Sequence, residues 1–568
     1  MPDPTLISVA RGETPADVLL RGARVPNVFT GEVEEIDVAL HGGRIAGLGD
    51  GYAAERIVDL DGAFVLPGFI DAHVHVESSL VTPPELARAV VPRGTTALVS
   101  DPHEIANVHG LDGIRYMLDA SEGLPLTVFI MASSCVPATD MGTAGGALDA
   151  DRLATLIGHP RVLGLAEVMN FPGVIHGAPE VLDKIAAFRG LPIDGHAPGV
   201  RGKVLNAYIA AGPGSDHECT TADEAREKLR RGLFLFMREA TNAHNLDALL
   251  PVLDAASERR IALCTDDRQP PDLLDEGGID AMLRRVIGAG HDPVRALRLA
   301  TLNPAEHFGL EDRGAVAPGR VADLVIVGDL QALDIQEVWV AGRPVADDGT
   351  ALSWQLPPAP APPQVSMSVS LAGDPFAIPT AGERVHVIEA VPDQIVTGRR
   401  VERPTVRDGH VVADPDRDLL KIAVVERHTG SGRVGLGLVS GIGLERGAIA
   451  GSVAHDHHNV IVIGADDVSM RTAVEAVAAS GGGLVTANGS EILASLELPV
   501  GGLMSPAPIE EVRRRLDGVV AAARALGSGL HDPFMAMSFL GLEVIPTLKI
   551  TDLGLVDVES FERIGLWA

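Results

Sequence analysis

Between residues 66 and 310 the chain alternates short apolar runs with helix-forming stretches, and this alternation restricts the possible folds more than any other feature. The runs are FVLPGFIDAH (64–73), TTALVSD (95–101), PLTVFIMA (125–132), VLGLAEV (162–168), LPIDGH (191–196), GSDHE (214–218), GLFLFMRE (232–239) and IALCTDD (261–267). Stretches such as PPELARAVVPRG, ADEAREKLRRG and NLDALLPVLDAASERR separate them. Strand followed by helix, eight times over roughly 245 residues, is what a (β/α)8 barrel requires. The sixth run is short and polar, the least strand-like of the set.

Polar residues gather where these runs end. They are His73 and His75; Asp101, His103 and Glu104; Glu167; His196; His217 and Glu218; and Asp266 and Asp267. Residues i and i+2 of a strand share a face, so His73 and His75 project together. Neutral imidazole is a common ligand for zinc, iron and manganese. An acid after a strand often caps the next helix, and for one residue that explanation suffices. It does not account for a set spread over six strand ends, all opening on the one barrel face where activity is built.

The remaining sequence flanks this segment. Residues 17–65 and 313–346 both show short alternating runs punctuated by glycine, the pattern of a small antiparallel sheet. They predict one β-sandwich, 1–65 plus 311–351, interrupted by the barrel at 66–310. The Pro- and Ala-rich stretch 352–366 reads as a stiff linker. Beyond it, 367–568 mixes strand-like and amphipathic helical segments, an α/β or α+β part.

A net charge of −31 argues against a nucleic-acid partner, which needs a basic face. Cys135, Cys219 and Cys264 form no CxxC and are odd in number, which fits a reducing compartment rather than a disulfide framework. No signal region or membrane-length apolar run is present, so a cytoplasmic protein is expected. A homo-oligomer is compatible with the acidic, multi-domain build.

Several long motifs carry a resemblance. PGFIDAHVHVESS, SDPHEIANVHG, GLAEVMNFPGVI, DGHAPGVRGKVLNAYIAAG, SDHECTT and CTDDR resemble those of bacterial adenine deaminases, a branch of the amidohydrolase superfamily. Past the linker the resemblance continues in DLLKIAVVERHTGSGRVGLGLV, GSVAHDHHNVIVIG, LPVGGLMS and DPFMAMSFLGLEVIPTLKITDLGL, so that it covers nearly the whole chain.

The resemblance implies two divalent ions, Mn2+ or Fe2+, with Zn2+ equally acceptable to the side chains. His73, His75 and Asp266 would hold one ion, and His196 and His217 the other, with Glu167 bridging or adjacent. His103 matches a family histidine near the site, as an outer ligand, a substrate contact or a support for its loop. The implied reaction is hydrolysis of adenine to hypoxanthine and ammonia. Metal-bound water, acidified towards hydroxide, attacks C6, Asp266 accepts its proton, and Glu167 is a candidate proton shuttle. Arg238 and Glu239, with Asn170 and Phe171, are candidate purine contacts, helix capping and packing being their alternative roles.

Family members commonly carry His where this chain has Arg93, Gln269 and Gly278. The last two follow strand eight and bear on pocket shape. Another 6-substituted purine, a cyclic amide, or a metal-loaded scaffold with a closed pocket therefore remain alternatives to adenine hydrolysis. The tract His455-Asp456-His457-His458 is metal-like in composition, yet adjacent residues of an extended chain point opposite ways. It is expected to hydrogen-bond backbone or to face the barrel mouth.

Overall fold

The structure, a computed structural model, describes residues 3–364, 367–392 and 394–568. The last two positions of the expected linker, 365 and 366, lie outside the described residues.

Eight parallel strands lie where the apolar runs fall: β1 (Phe69–Val74), β2 (Thr95–Ser100), β3 (Thr127–Ala132), β4 (Val162–Val168), β5 (Ile193–Gly195), β6 (Ser215–Asp216), β7 (Phe234–Arg238) and β8 (Ile261–Cys264). β1 to β5 pair in sequence order, as do β6 to β8. Two seams join the sets into a ring. Gly214 N donates to Ile193 O at 2.8 Å between β5 and β6, and Asp266 N donates to His73 O at 3.0 Å between β8 and β1. The polar run GSDHE yields a strand of only two residues.

The side-chain period of two divides each strand between two cores. Ile70, Ala72, Ala97, Val99, Phe129, Met131, Ala166, Phe234, Phe236, Ala262 and Cys264 share one buried cluster, the barrel interior. Residues between them, such as Leu98, Val128, Ile130 and Leu165, pack in a second cluster with the helices that follow the strands. Those helices begin where side chains can cap them: Asp292 accepts Arg295 N at 2.9 Å, and Asp149 accepts Arg152 N at 2.8 Å.

The flanking segments hydrogen-bond to each other. Phe64–Pro67 runs antiparallel to Leu324–Val327, with Leu324 opposite Pro67 and Val327 opposite Phe64. Strands from both sides of the barrel form one nine-stranded sheet. A bridge from Arg44 to Val321 brings the far edge back against its middle. Leu20, Val38, Leu40, Leu324, Ile326 and Trp339 fill the core so enclosed.

Beyond residue 367 an eight-stranded mixed sheet carries two helices, Asp467–Ala479 and Ile509–Ala525. This part is docked on the barrel. Ser505 N donates to Leu80 O at 2.8 Å, Thr139 Oγ1 donates to Glu543 at 2.6 Å, and Thr143 Oγ1 donates to Asp552 at 2.6 Å. Among the described residues no helix is long and apolar enough to cross a membrane.

Candidate metal centre

The strand ends bring four histidines and two carboxylates into one buried cluster. His73, on β1, and His75, just after it, face each other with their Nε2 atoms 3.2 Å apart. His75 Nδ1 lies 2.9 Å from the Asp101 carbonyl; donating there leaves Nε2 free as a ligand atom. Just after β8, Asp266 adopts a left-handed backbone, φ 56°, a conformation its short polar side chain tolerates. Its Oδ1 lies 3.2 Å from His75 Nε2 and 3.7 Å from His73 Nε2.

Glu167, at the end of β4, stands in the middle. Its Oε1 lies 3.2 Å from His75 Nε2. Its Oε2 lies 2.6 Å from His196 Nδ1 and 3.3 Å from His217 Nε2. One carboxylate thus offers an oxygen to each pair of imidazoles. Burial works to raise the Glu167 carboxyl, but His196 and His217 together outweigh it and hold it well below the usual carboxylate range. Burial likewise opposes ionisation of Asp266, and His75, Arg238 and His217 overcome it. Both acids are therefore in the form a cation takes.

The donor set fits divalent ions. Ligand atoms bound at about 2.0–2.2 Å to one ion lie roughly 3–3.5 Å apart, and the contacts of His75 Nε2 with His73, Glu167 and Asp266 have that spacing. His196 Nε2 and His217 Nδ1 are buried without a hydrogen-bond partner among the described residues. His73–His75–Asp266, His73–Glu167–His217 and His196–His217–Glu218 each bring ligand atoms within 4.8 Å of one another.

Of the other expected residues, His103 lies beside the cluster, Nδ1 3.0 Å from Asp101 Oδ2 and 3.6 Å from Glu167 Oε1. Arg238 also lines the cavity; its guanidinium is bonded to Glu218 and donates to Asp266 Oδ2 at 2.8 Å. The structure does not bring Asn170, Phe171 or Glu239 into the cavity wall. Asn170 caps the helix Phe171–His176, accepting from Gly173 N at 2.8 Å. Phe171 packs on the outer core. Glu239 accepts from Arg285 and lies 2.8 Å from His244 Nδ1. Gln269 is one step back, its amide 3.9 Å from the Met535 sulfur, and Gly278 borders a separate small cavity behind β1. Arg93 is bound to the Leu274 carbonyl at 2.5 Å, outside the cavity wall.

The wall opposite the strand ends comes from the C-terminal part: Ile395, His455, Asp456, Met535, Phe539, Leu542 and Ile545. Thus the His455–His458 tract does reach the barrel mouth. The apolar residues of this wall escape sequence reasoning, because no local pattern marks which buried residues of one unit will roof another.

A parallel barrel with buried imidazoles and acids at its strand ends defines an amidohydrolase, and the amidohydrolase family model matches residues 64–345. The adenine deaminase C-terminal domain matches 394–562. The adenine deaminase of Desulfatibacillum aliphaticivorans is 50% identical, covering 100% of both chains. That of Methanothrix thermoacetophila is 49% identical over 99% of each. This chain belongs to the adenine deaminase family. Among solved structures, the β-aspartyl dipeptidase of Fervidobacterium islandicum AW-1 is 20% identical, covering 60% of this chain and 99% of its own, with a TM-score of 0.45.

Proposed function

We propose that this chain hydrolyses adenine to hypoxanthine and ammonia, using two divalent ions at the barrel mouth. The observation that supports this most directly is Glu167, whose two oxygens face His73 and His75 on one side and His196 and His217 on the other. His73, His75 and Asp266 would hold one ion, His196 and His217 the other, and Glu167 would bridge. Mn2+ or Fe2+ are the expected metals, and Zn2+ suits the same ligands.

When bound, such ions supply an acidified water as nucleophile. The chain's own residues then handle protons. Asp266 Oδ1, turned towards the histidines, would accept a proton from the nucleophile, while Arg238 secures Oδ2. Departing ammonia and ring N1 each need a proton. Glu167 would serve as shuttle where its hold on an ion is weak, and His103, 3.6 Å from Glu167, is the alternative relay. The roof of Ile395, Met535 and Phe539 excludes bulk water above a flat apolar ligand.

In this scheme the barrel is an insertion at 66–310 within a small β-unit of 1–65 and 311–351. The stretch 352–366 links it to the roof-forming part, 367–568. The test is an ultraviolet assay on adenine with manganese-loaded protein. The expected result is conversion to the hypoxanthine spectrum with one ammonia per base. No turnover from protein shown by elemental analysis to carry two ions per chain would overturn the proposal.

A further inference from the structure

Asp456 comes from the C-terminal part, yet it lines the cavity that the metal-centre residues border. Its side chain is buried, 2% exposed for the residue as a whole. Oδ1 lies 3.7 Å from His103 Nε2, and the other ring nitrogen of His103 lies 3.6 Å from Glu167 Oε1. Asp456 is therefore one imidazole ring away from the proposed ligands. Its second oxygen, Oδ2, is buried with no hydrogen-bond partner among the described residues. A buried carboxylate oxygen left unpaired costs stability, so a donor brought to Oδ2 would be held strongly.

Adenine offers two kinds of N–H. The amine on C6 must sit at the metal centre, because C6 is the reacting carbon. The other donor is the N–H of the five-membered ring, one ring further from C6, as Asp456 is one ring further from Glu167. We propose that Asp456 accepts this ring N–H and so selects the free base over purines substituted on the imidazole nitrogens. The inference rests on the deaminase reading of the same site. A substituted base lacks the donor and leaves Oδ2 buried and unpaired, the situation in which a polar site discriminates most strongly.

The test compares adenine with 9-methyladenine and 7-methyladenine, neither of which has a ring N–H, in manganese-loaded wild type and D456A. The expected result is that D456A narrows the preference for adenine over both analogues, as the ratio of kcat/KM, at least tenfold. The narrowing should come mainly through a raised KM for adenine, with two ions per chain retained. D456N, which keeps the size and loses the charge, guards against a folding defect and should narrow the preference at least threefold. A preference within threefold of wild type in both variants overturns the proposal, and analogues turned over by neither variant count as preference retained. Wild type inactive on adenine would instead remove the deaminase reading itself, a separate outcome from an active wild type whose preference ignores position 456.

Discussion

Arg238 Nη1 donates to Asp266 Oδ2 at 2.8 Å, so the carboxylate that faces His73 and His75 with one oxygen is clamped at the other by a buried guanidinium. The same guanidinium is bonded to Glu218. Two acids taken out of water thus share one cation. Removing it in R238Q takes the shared cation from both, which costs about 3–5 kcal/mol. It also frees Asp266 to turn, which should lower kcat/KM by about 100-fold or more. Urea unfolding and adenine kinetics check the two parts; a variant as stable and active as wild type would show that the clamp is incidental.

Asp266 itself can be tested with little disturbance of the backbone. Its left-handed φ of 56° is as acceptable to Asn as to Asp, so D266N should keep the turn that follows β8. What is lost is the charge, and with it the proposed metal ligand and proton acceptor. Turnover should fall by about 10²–10⁴-fold while the near-ultraviolet circular dichroism stays that of the native protein. Activity within a few-fold of wild type would take the proton from Asp266 and give it to another group.

A second buried cation supports the other half of the centre. Lys228 Nζ donates to the Ala197 carbonyl at 2.6 Å, to Asp216 at 2.9 Å and to Glu224 at 2.7 Å. Ala197 follows His196 and Asp216 precedes His217, so one ammonium ties together the two loops that present these imidazoles. K228M should cost about 3–5 kcal/mol through the stranded acids, and it should lower the bound metal from two ions per chain towards one. Elemental analysis after gel filtration reads the second effect. D216N in the same chain should recover part of the stability, since it removes one of the stranded charges. Full metal content in K228M would confine Lys228 to a packing role.

How far the sequence led depended on whether a residue's partner was local. β4 spans Val162–Val168, the full extent of its run, which is apolar apart from Glu167 as a strand buried on both faces must largely be. β6 shrinks to Ser215–Asp216, the two residues of its polar run that pair with β7, where Ser215 donates to Asp194 and Asp216 accepts from Lys228. The histidines could be gathered because position at a strand end determines direction. Asn170 shows the limit. Its place after β4 suits a substrate contact and a helix cap alike, and only the Gly173 N–H, 2.8 Å away, distinguishes them. The roof over the cavity was harder still. Ile395 and Phe539 lie more than a hundred residues from any barrel strand, and nothing in their surroundings announces the docking.

That roof is pinned from behind by Lys549. Its Nζ donates to the Ile395 carbonyl and to the Phe539 carbonyl, each at 2.9 Å, and both residues line the cavity. Burial pushes the ammonium down from 10.5 to about 7, with Glu543 opposing. In the unfolded chain the lysine keeps its ordinary value, so between about pH 7 and 10 the unfolded state holds a proton that the folded state has released. Stability therefore rises with pH through that window, by up to about 1.4 kcal/mol per unit from this group. Below pH 7 both states are protonated and the full cost of burying the charge is present. K549M removes the contribution. The stability of wild type minus that of K549M should climb steadily from pH 7 to pH 10 in urea titrations, and the KM for adenine should rise as the two carbonyls of the roof lose their donor. A stability difference that stays flat across the window would mean that Lys549 remains charged in the folded protein.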